Sequence, residues 1–242
     1  MLEAFENLCK DAKATLQEIL LRYTINAEEL IVLTKLKERI QKLMIAEARV
    51  AHTIGLTPNQ VSLLGALAAL VSAYCYWSSQ FNDSLLIVAA LLLLVSGFLD
   101  ALDGVLARAY RETTLFGGFL DSLLDRYSDA IILVSIILGR LAADSQVWGV
   151  VGFATVIGSL LVSYSRARAE AAGIKMETVG LAERAERIIV IAAASFLNLL
   201  WADALRWSVL LLAVLTNLTV MQRALYFWKA SRKKETSATP VV

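Results

Sequence analysis

A chain of 242 residues that is 58% hydrophobic and 19% charged, with a mean hydropathy of +0.63, carries more apolar character than a soluble domain holds. Its formal net charge of +1 gives neither the basic excess of a nucleic-acid binder nor the acidic excess of a disordered chain. Cys9 and Cys75 stand far apart, with neither a disulfide framework nor a metal-ligand spacing between them. Two prolines and no strand-and-turn alternation leave helices as the way to satisfy the backbone inside lipid, so the expected class is an all-α integral membrane protein.

In chain order, residues 1–56 mix charges with apolar side chains at helical spacing, such as Leu16, Ile19 and Leu20, then Leu36, Ile40, Leu43 and Met44. No apolar run there is long enough to span, so this segment is expected to form amphipathic juxtamembrane helices on one side of the membrane. Residues 57–230 form the expected core domain of six transmembrane helices, near 60–77, 84–110, 116–139, 146–172, 184–200 and 204–228. Residues 231–242 form a polar tail. Thr57 is the expected N-cap of the first span, with Pro58 at its first helical position. Of 23 Lys and Arg residues, 20 fall on the face shared by both termini. By the positive-inside rule both termini lie in the cytosol, giving a multi-pass cell-membrane protein.

The chemistry concentrates where the second span ends and the third begins. Asp100 and Asp103 stand at i, i+3, and Asp121 and Asp125 at i, i+4, so each pair shares a helix face. The short connection around Arg111–Phe116 brings the two faces together. An Asp within a membrane helix costs roughly 2.5–3.5 kcal/mol on insertion scales, so four of them need a compensating cation. Carboxylates without neighbouring His or Cys favour Mg²⁺, Mn²⁺ or Ca²⁺ over zinc. Ion pairs to Arg108, Arg111 and Arg126, and a cation pathway in a divalent-cation transporter, are the alternatives these residues leave open.

The string Asp100-x-x-Asp103-Gly104-x-x-Ala107-Arg108, then eight residues, then Gly117-x-x-x-Asp121-x-x-x-Asp125 resembles the signature of the CDP-alcohol phosphatidyltransferases. It fixes eight residues across 26 positions. The resemblance reaches about residues 55–230 and implies metal-dependent transfer (Mg²⁺ or Mn²⁺) of a phosphatidyl-type group from a CDP-linked lipid to an alcohol, with CMP leaving. It also implies homodimerisation and an active site open to the cytosol. By the same resemblance Asp100, Asp103 and Asp121 are metal ligands, while Asp125 shares the metal site and acts as general base. Gly104, Ala107 and Gly117 make room for the nucleotide, Arg108 meets its phosphates, and Asn59 contacts the cytosine.

Span four ends Ser163-Tyr-Ser-Arg166-Ala-Arg168-Ala-Glu170. Snorkelling arginines at a helix end are common, and Arg166 and Arg168, two apart, share no narrow stripe. The string nevertheless resembles the inositol-phosphate-using branch of the family in bacteria and archaea. That implies an acceptor phosphate held by Ser163, Arg166, Arg168 and Arg223, and a lipid that is CDP-diacylglycerol or CDP-archaeol. Such a cluster suits a phosphorylated acceptor, and glycerol 3-phosphate meets the same electrostatic requirement. His52 is expected at a surface, the five tryptophans near span ends, and Asp129 in support of the polar site or paired with Arg126.

Overall fold

The computed structural model describes residues 44–141, 145–176 and 179–238, with side chains to 232. Most of the expected N-terminal extension, including Cys9, and the last residues of the tail lie outside the described residues. Residues 44–53 are helical. Six further helices follow: α1 Pro58–Ser78, α2 Ser84–Ala109, α3 Leu115–Ile136, α4 Gln146–Ala171, α5 Arg184–Leu197 and α6 Ala204–Ala238. One π-helical turn, Ile137–Leu141, extends α3. No strand occurs among the described residues.

The helix ends follow from local chemistry. Thr57 caps α1 in a reciprocal capping box with Gln60, and Pro58 occupies the first turn, where its missing N–H costs nothing. At the end of α2 the Glu112 amide donates to Ala107 O at 2.9 Å while Arg111 takes a left-handed φ of 58°, closing the helix and reversing the chain. Thr114 then caps α3 by accepting from the Gly117 amide at 2.9 Å. Both ends of the α2–α3 connection are therefore fixed by hydrogen bonds, which sets Asp121 of α3 beside Asp103 of α2.

Four helices are long and apolar enough to cross a membrane: Pro58–Ser78, Ser84–Ala109, Gln146–Ala171 and Ala204–Arg232. The other two expected spans are helical but differ in kind. Helix α3 carries Asp121, Asp125, Arg126 and Asp129, and α5 has 14 residues, about 21 Å at 1.5 Å per residue.

Helix α1 packs on α2 and α3, α4 on α6, and α5 on α2 and α6. Small side chains line the α1–α2 contact, with Ala69 and Ala73 of α1 and Ala89 and Ala90 of α2 all buried. Close backbone approach gives such helices van der Waals attraction where lipid supplies no hydrophobic drive. Buried hydroxyls add cross-helix bonds: Ser72 Oγ to Ala89 O at 2.7 Å, Thr155 Oγ1 to Val209 O at 3.0 Å, and Tyr76 with Ser195 at 2.9 Å. Each contributes roughly 0.6–2 kcal/mol.

Gly139, in the π turn, marks the tightest backbone approach to α1. A Cβ there would lie 2.6 Å from Tyr76 O and 2.8 Å from Trp77 O, atoms that cannot rotate away. Gly139→Ala is therefore expected to cost about 1–3 kcal/mol by overpacking and to lower the thermal midpoint in detergent. Gly118→Ala, with nothing within 4 Å of the added carbon, should leave it unchanged or higher.

Candidate active site

Asp100 and Asp103 occupy the last turns of α2, and Asp121 and Asp125 the first turns of α3. Carboxylate oxygens of Asp100, Asp103 and Asp121 lie within 4.8 Å of one another. Three hard anionic donors converging on one point are the donor set that Mg²⁺ or Mn²⁺ takes, and the residues present fit such an ion. Asp103 is 6% exposed and accepts a hydrogen bond from Ser62 Oγ of α1. Sequence reasoning missed Ser62, since its partner lies 41 positions away.

Asp125 faces a different neighbour. Arg184 Nη1, from the first turn of α5, sits 2.6 Å from Asp125 Oδ1 and in ion-pair contact with Asp100 Oδ1. These are charge contacts without hydrogen-bond alignment at that nitrogen. Asp129, one turn on, pairs with Arg184 and Arg187. It does not pair with Arg126, which instead donates to Ser122 O in its own helix. Arg108, Arg111 and Arg126, the arginines nearest in sequence, give way to a cation from the far end of the chain.

Two cavities flank the carboxylates. The first, about 220 Å³, is lined by Asn59, Gly104, Ala107, Arg108 and Gly117 together with Asp103 and Asp121. All five positions predicted for the nucleotide thus meet in one place. Their spacing has a steric reason. A Cβ on Gly117 would come within 2.9 Å of Asn59 Oδ1 and Thr114 Oγ1, and one on Gly104 within 3.2 Å of the Arg108 guanidinium. Side chains at either glycine would push the polar groups of this cavity aside.

The second cavity, about 520 Å³, opens between α3, α4, α5 and α6. Asp121 and Asp125 form one wall, and Ser163, Arg166, Arg184 and Arg223 line it as well. Ser163, Arg166 and Glu170 share a stripe of α4, with Arg166 Nε bonded to Glu170 at 2.9 Å. Arg168 does not line this cavity, and its side chain is exposed, two residues from Arg166 and on another side of the helix. Arg184 lines the cavity in addition to the predicted Ser163, Arg166 and Arg223. Its signal was the run Glu183-Arg184-Ala-Glu186-Arg187 at the start of a helix, expected beside the aspartates when both lie near one leaflet, and Arg184 does meet Asp100 and Asp125.

Arg223 is 2% exposed and largely engaged. Nε donates to Val179 O at 2.7 Å, Nη1 to Val162 O, and Nη2 to Glu183 Oε1 at 3.2 Å. It pins the chain before α5 onto α6, with two of its five N–H donors beyond these three bonds. His52 stacks on Tyr110 with ring centroids 3.7 Å apart and reaches Glu112 at 3.8 Å, a carboxylate distant in sequence. Trp148 and Trp207 pack edge to face at 5.8 Å.

Residues 55–221 match the family model of CDP-alcohol phosphatidyltransferases. The chain is 43% identical to an archaetidylinositol phosphate synthase of Pyrococcus horikoshii over 192 residues, 79% of this chain and 94% of that protein. It is 41% identical to the archaetidylinositol phosphate synthase of Methanothermobacter thermautotrophicus over 184 residues, 74% of this chain and 87% of that one. Its fold matches the crystal structure of Mycobacterium tuberculosis phosphatidylinositol phosphate synthase with CDP-DAG bound. The TM-score is 0.69 and the identity 28%, over 77% of this chain and 94% of that one. The same mycobacterial enzyme in complex with manganese and citrate matches with a TM-score of 0.68 and 29% identity, over 76% of this chain and 88% of that one. A carboxylate cluster between two polar cavities, in a chain matching one family model over 55–221, leads to one conclusion: this protein belongs to the CDP-alcohol phosphatidyltransferase family.

Proposed function

We propose that the protein transfers a phosphatidyl-type group from a CDP-linked lipid, CDP-diacylglycerol or CDP-archaeol, to inositol phosphate and releases CMP. One observation carries this reading: Asp121 lines both cavities, so the carboxylate cluster stands at the junction of a glycine-lined pocket and an arginine-lined one. A nucleotide suits the first and an acceptor phosphate the second, which sets the reacting phosphorus between them.

Asp100, Asp103 and Asp121 would hold a divalent ion, with Asp125 beside them. When bound, such an ion supplies Lewis acidity at the pyrophosphate and neutralises the charge that leaves with CMP. The chain's own residues do the rest. Asn59 and the bare backbone at Gly104 and Gly117 seat the cytidine, and Arg108 binds its phosphates. Ser163, Arg166, Arg184 and Arg223 hold the acceptor phosphate, which fixes the reacting hydroxyl against the Asp125 side of the cavity. Asp125 takes the hydroxyl proton as the new O–P bond forms and the P–O bond to CMP breaks. This carboxylate works through its position against the hydroxyl.

The topology belongs to the same proposal: α1 to α6 cross the membrane six times, with α3 and α5 turning their charged ends to the site and both termini in the cytosol. The catalytic domain spans 57–230, between the 1–56 extension and the 231–242 tail, in a homodimer whose site opens to the cytosol.

Purified protein given CDP-lipid, inositol phosphate and glycerol 3-phosphate together should release CMP only with Mg²⁺ or Mn²⁺, and mass spectrometry should find the inositol-phosphate lipid as the main product. A glycerophosphate product would reassign the acceptor, and metal flux without CMP would remove the transferase reading. Asp125→Asn should lower kcat by about 10²–10⁴-fold, the usual share of a positioned base, while CDP-lipid binding by isothermal titration persists. Among the arginines, Arg166→Ala should raise the acceptor KM about 10–100-fold, the loss of one charge-assisted hydrogen bond. Arg168→Ala, outside the cavity, should change it less than about threefold.

A further inference from the structure

Asp129 has no role in the chemistry set out above, yet it lies one turn from Asp125 and both of its oxygens are engaged. Oδ1 faces Arg184 Nε at 3.3 Å, and Oδ2 accepts from Arg187 Nη2. Arg187 is 3% exposed. Its Nη1 donates to Ala182 O at 2.9 Å, and its Nε finds no hydrogen-bond partner among the described residues. A guanidinium does not shed its proton, so a buried Arg187 needs a carboxylate beside it. Asp129 meets that need with one oxygen and has the other for Arg184.

The consequence lies in the orientation of Arg184. A guanidinium is a rigid plane, and a contact at Nε on one edge sets where Nη1 on the other side points. Here the far side meets Asp100 and Asp125 while the side chain lines the arginine-rich cavity. We propose that Asp129, backed by Arg187, is a positioning residue that fixes the Arg184 guanidinium in the wall between the carboxylate cluster and the acceptor cavity. This rests on the reading that the cavity receives the acceptor phosphate. A long arginine held in place before the substrate arrives loses less freedom on binding, so the effect belongs to acceptor recognition.

The test is a double-mutant cycle on the full chain in detergent, with CMP release followed at varied inositol phosphate and varied CDP-lipid. Asp129→Asn is expected to raise the acceptor KM at least tenfold and to move the CDP-lipid KM by less than twofold. In an Arg184→Ala background the same change should move the acceptor KM by less than twofold, because the residue it acts through is gone. Asp129→Glu keeps a negative charge against Arg187 but sets the carboxylate one methylene further out. It should fold, and should also raise the acceptor KM selectively. Multiplying effects of Asp129→Asn and Arg184→Ala, equal shifts in both KM values, or failure of both Asp129 variants to fold would overturn the positioning role. Wild-type protein that turns over CDP-lipid without using inositol phosphate would instead overturn the functional reading beneath it.

Discussion

Everything in this molecule is arranged around the problem of placing negative charge at the end of a helix pair inside a membrane protein. Asp100, Asp103, Asp121 and Asp125 sit on two helices joined by a short connection, so their repulsion cannot be relieved by moving apart. The chain answers with three kinds of partner: the Ser62 hydroxyl, the Arg184 guanidinium, and a converging set of oxygens suited to a divalent ion. A buried carboxylate left without such partners would cost several kcal/mol. The rest of the bundle holds these partners where the carboxylates are.

Helix α1 brings Ser62 and Asn59 to the α2–α3 pair from one side, and its capping box fixes the turn on which Asn59 stands. Helix α5 brings Arg184 from the other. It is placed by Arg187 bonding to Ala182 and by Arg223 of α6 holding Val179 and Glu183. Arg223 therefore borders the arginine-lined cavity as part of the device that seats α5, held by its bonds to Val179 O, Val162 O and Glu183.

Much of this was legible in the sequence, and the limits have a physical cause. The spacing of Asp100, Asp103, Asp121 and Asp125 is a helical-phase signal, and it located the carboxylate cluster and the helix pair that carries it. Asn59, Gly104, Ala107, Arg108 and Gly117 meet in one cavity because they lie on three consecutive, tightly connected helices. Arg166 and Arg168, two apart, face different directions, and the local string named both because long side chains can still converge on one anion. Arg184, Ser62 and the Asp129–Arg187 pair left no such trace. Their partners lie dozens of residues away, across helix contacts that no periodicity encodes. The six expected spans were legible as helices, and four of these helices are long and apolar enough to cross a membrane, because α3 trades apolar length for charge and α5 is short.

The division of labour between the two cavities bears on how such an architecture diversifies. The motif residues Asp100 to Asp125 lie on α2 and α3, and the glycine-lined cavity needs α1 in addition. The arginine-lined cavity draws on α3 for its acidic wall and on α4, α5 and α6 for its cations. Ser163 and Arg166 stand on α4, which packs mainly on α6, so changing them leaves the glycine contacts of the other cavity undisturbed, whereas the α5 entry packs on α2 and its Arg184 reaches Asp100. The lining of the glycine-lined cavity and the cations Arg166, Arg184 and Arg223 of the arginine-lined one therefore come from separate sets of helices. The shared element is α3, whose Asp121 faces both cavities and whose Asp125 and Asp129 face only the second. Successive turns of this one helix run from the glycine-lined cavity to the arginine-lined one, so its charged residues border both.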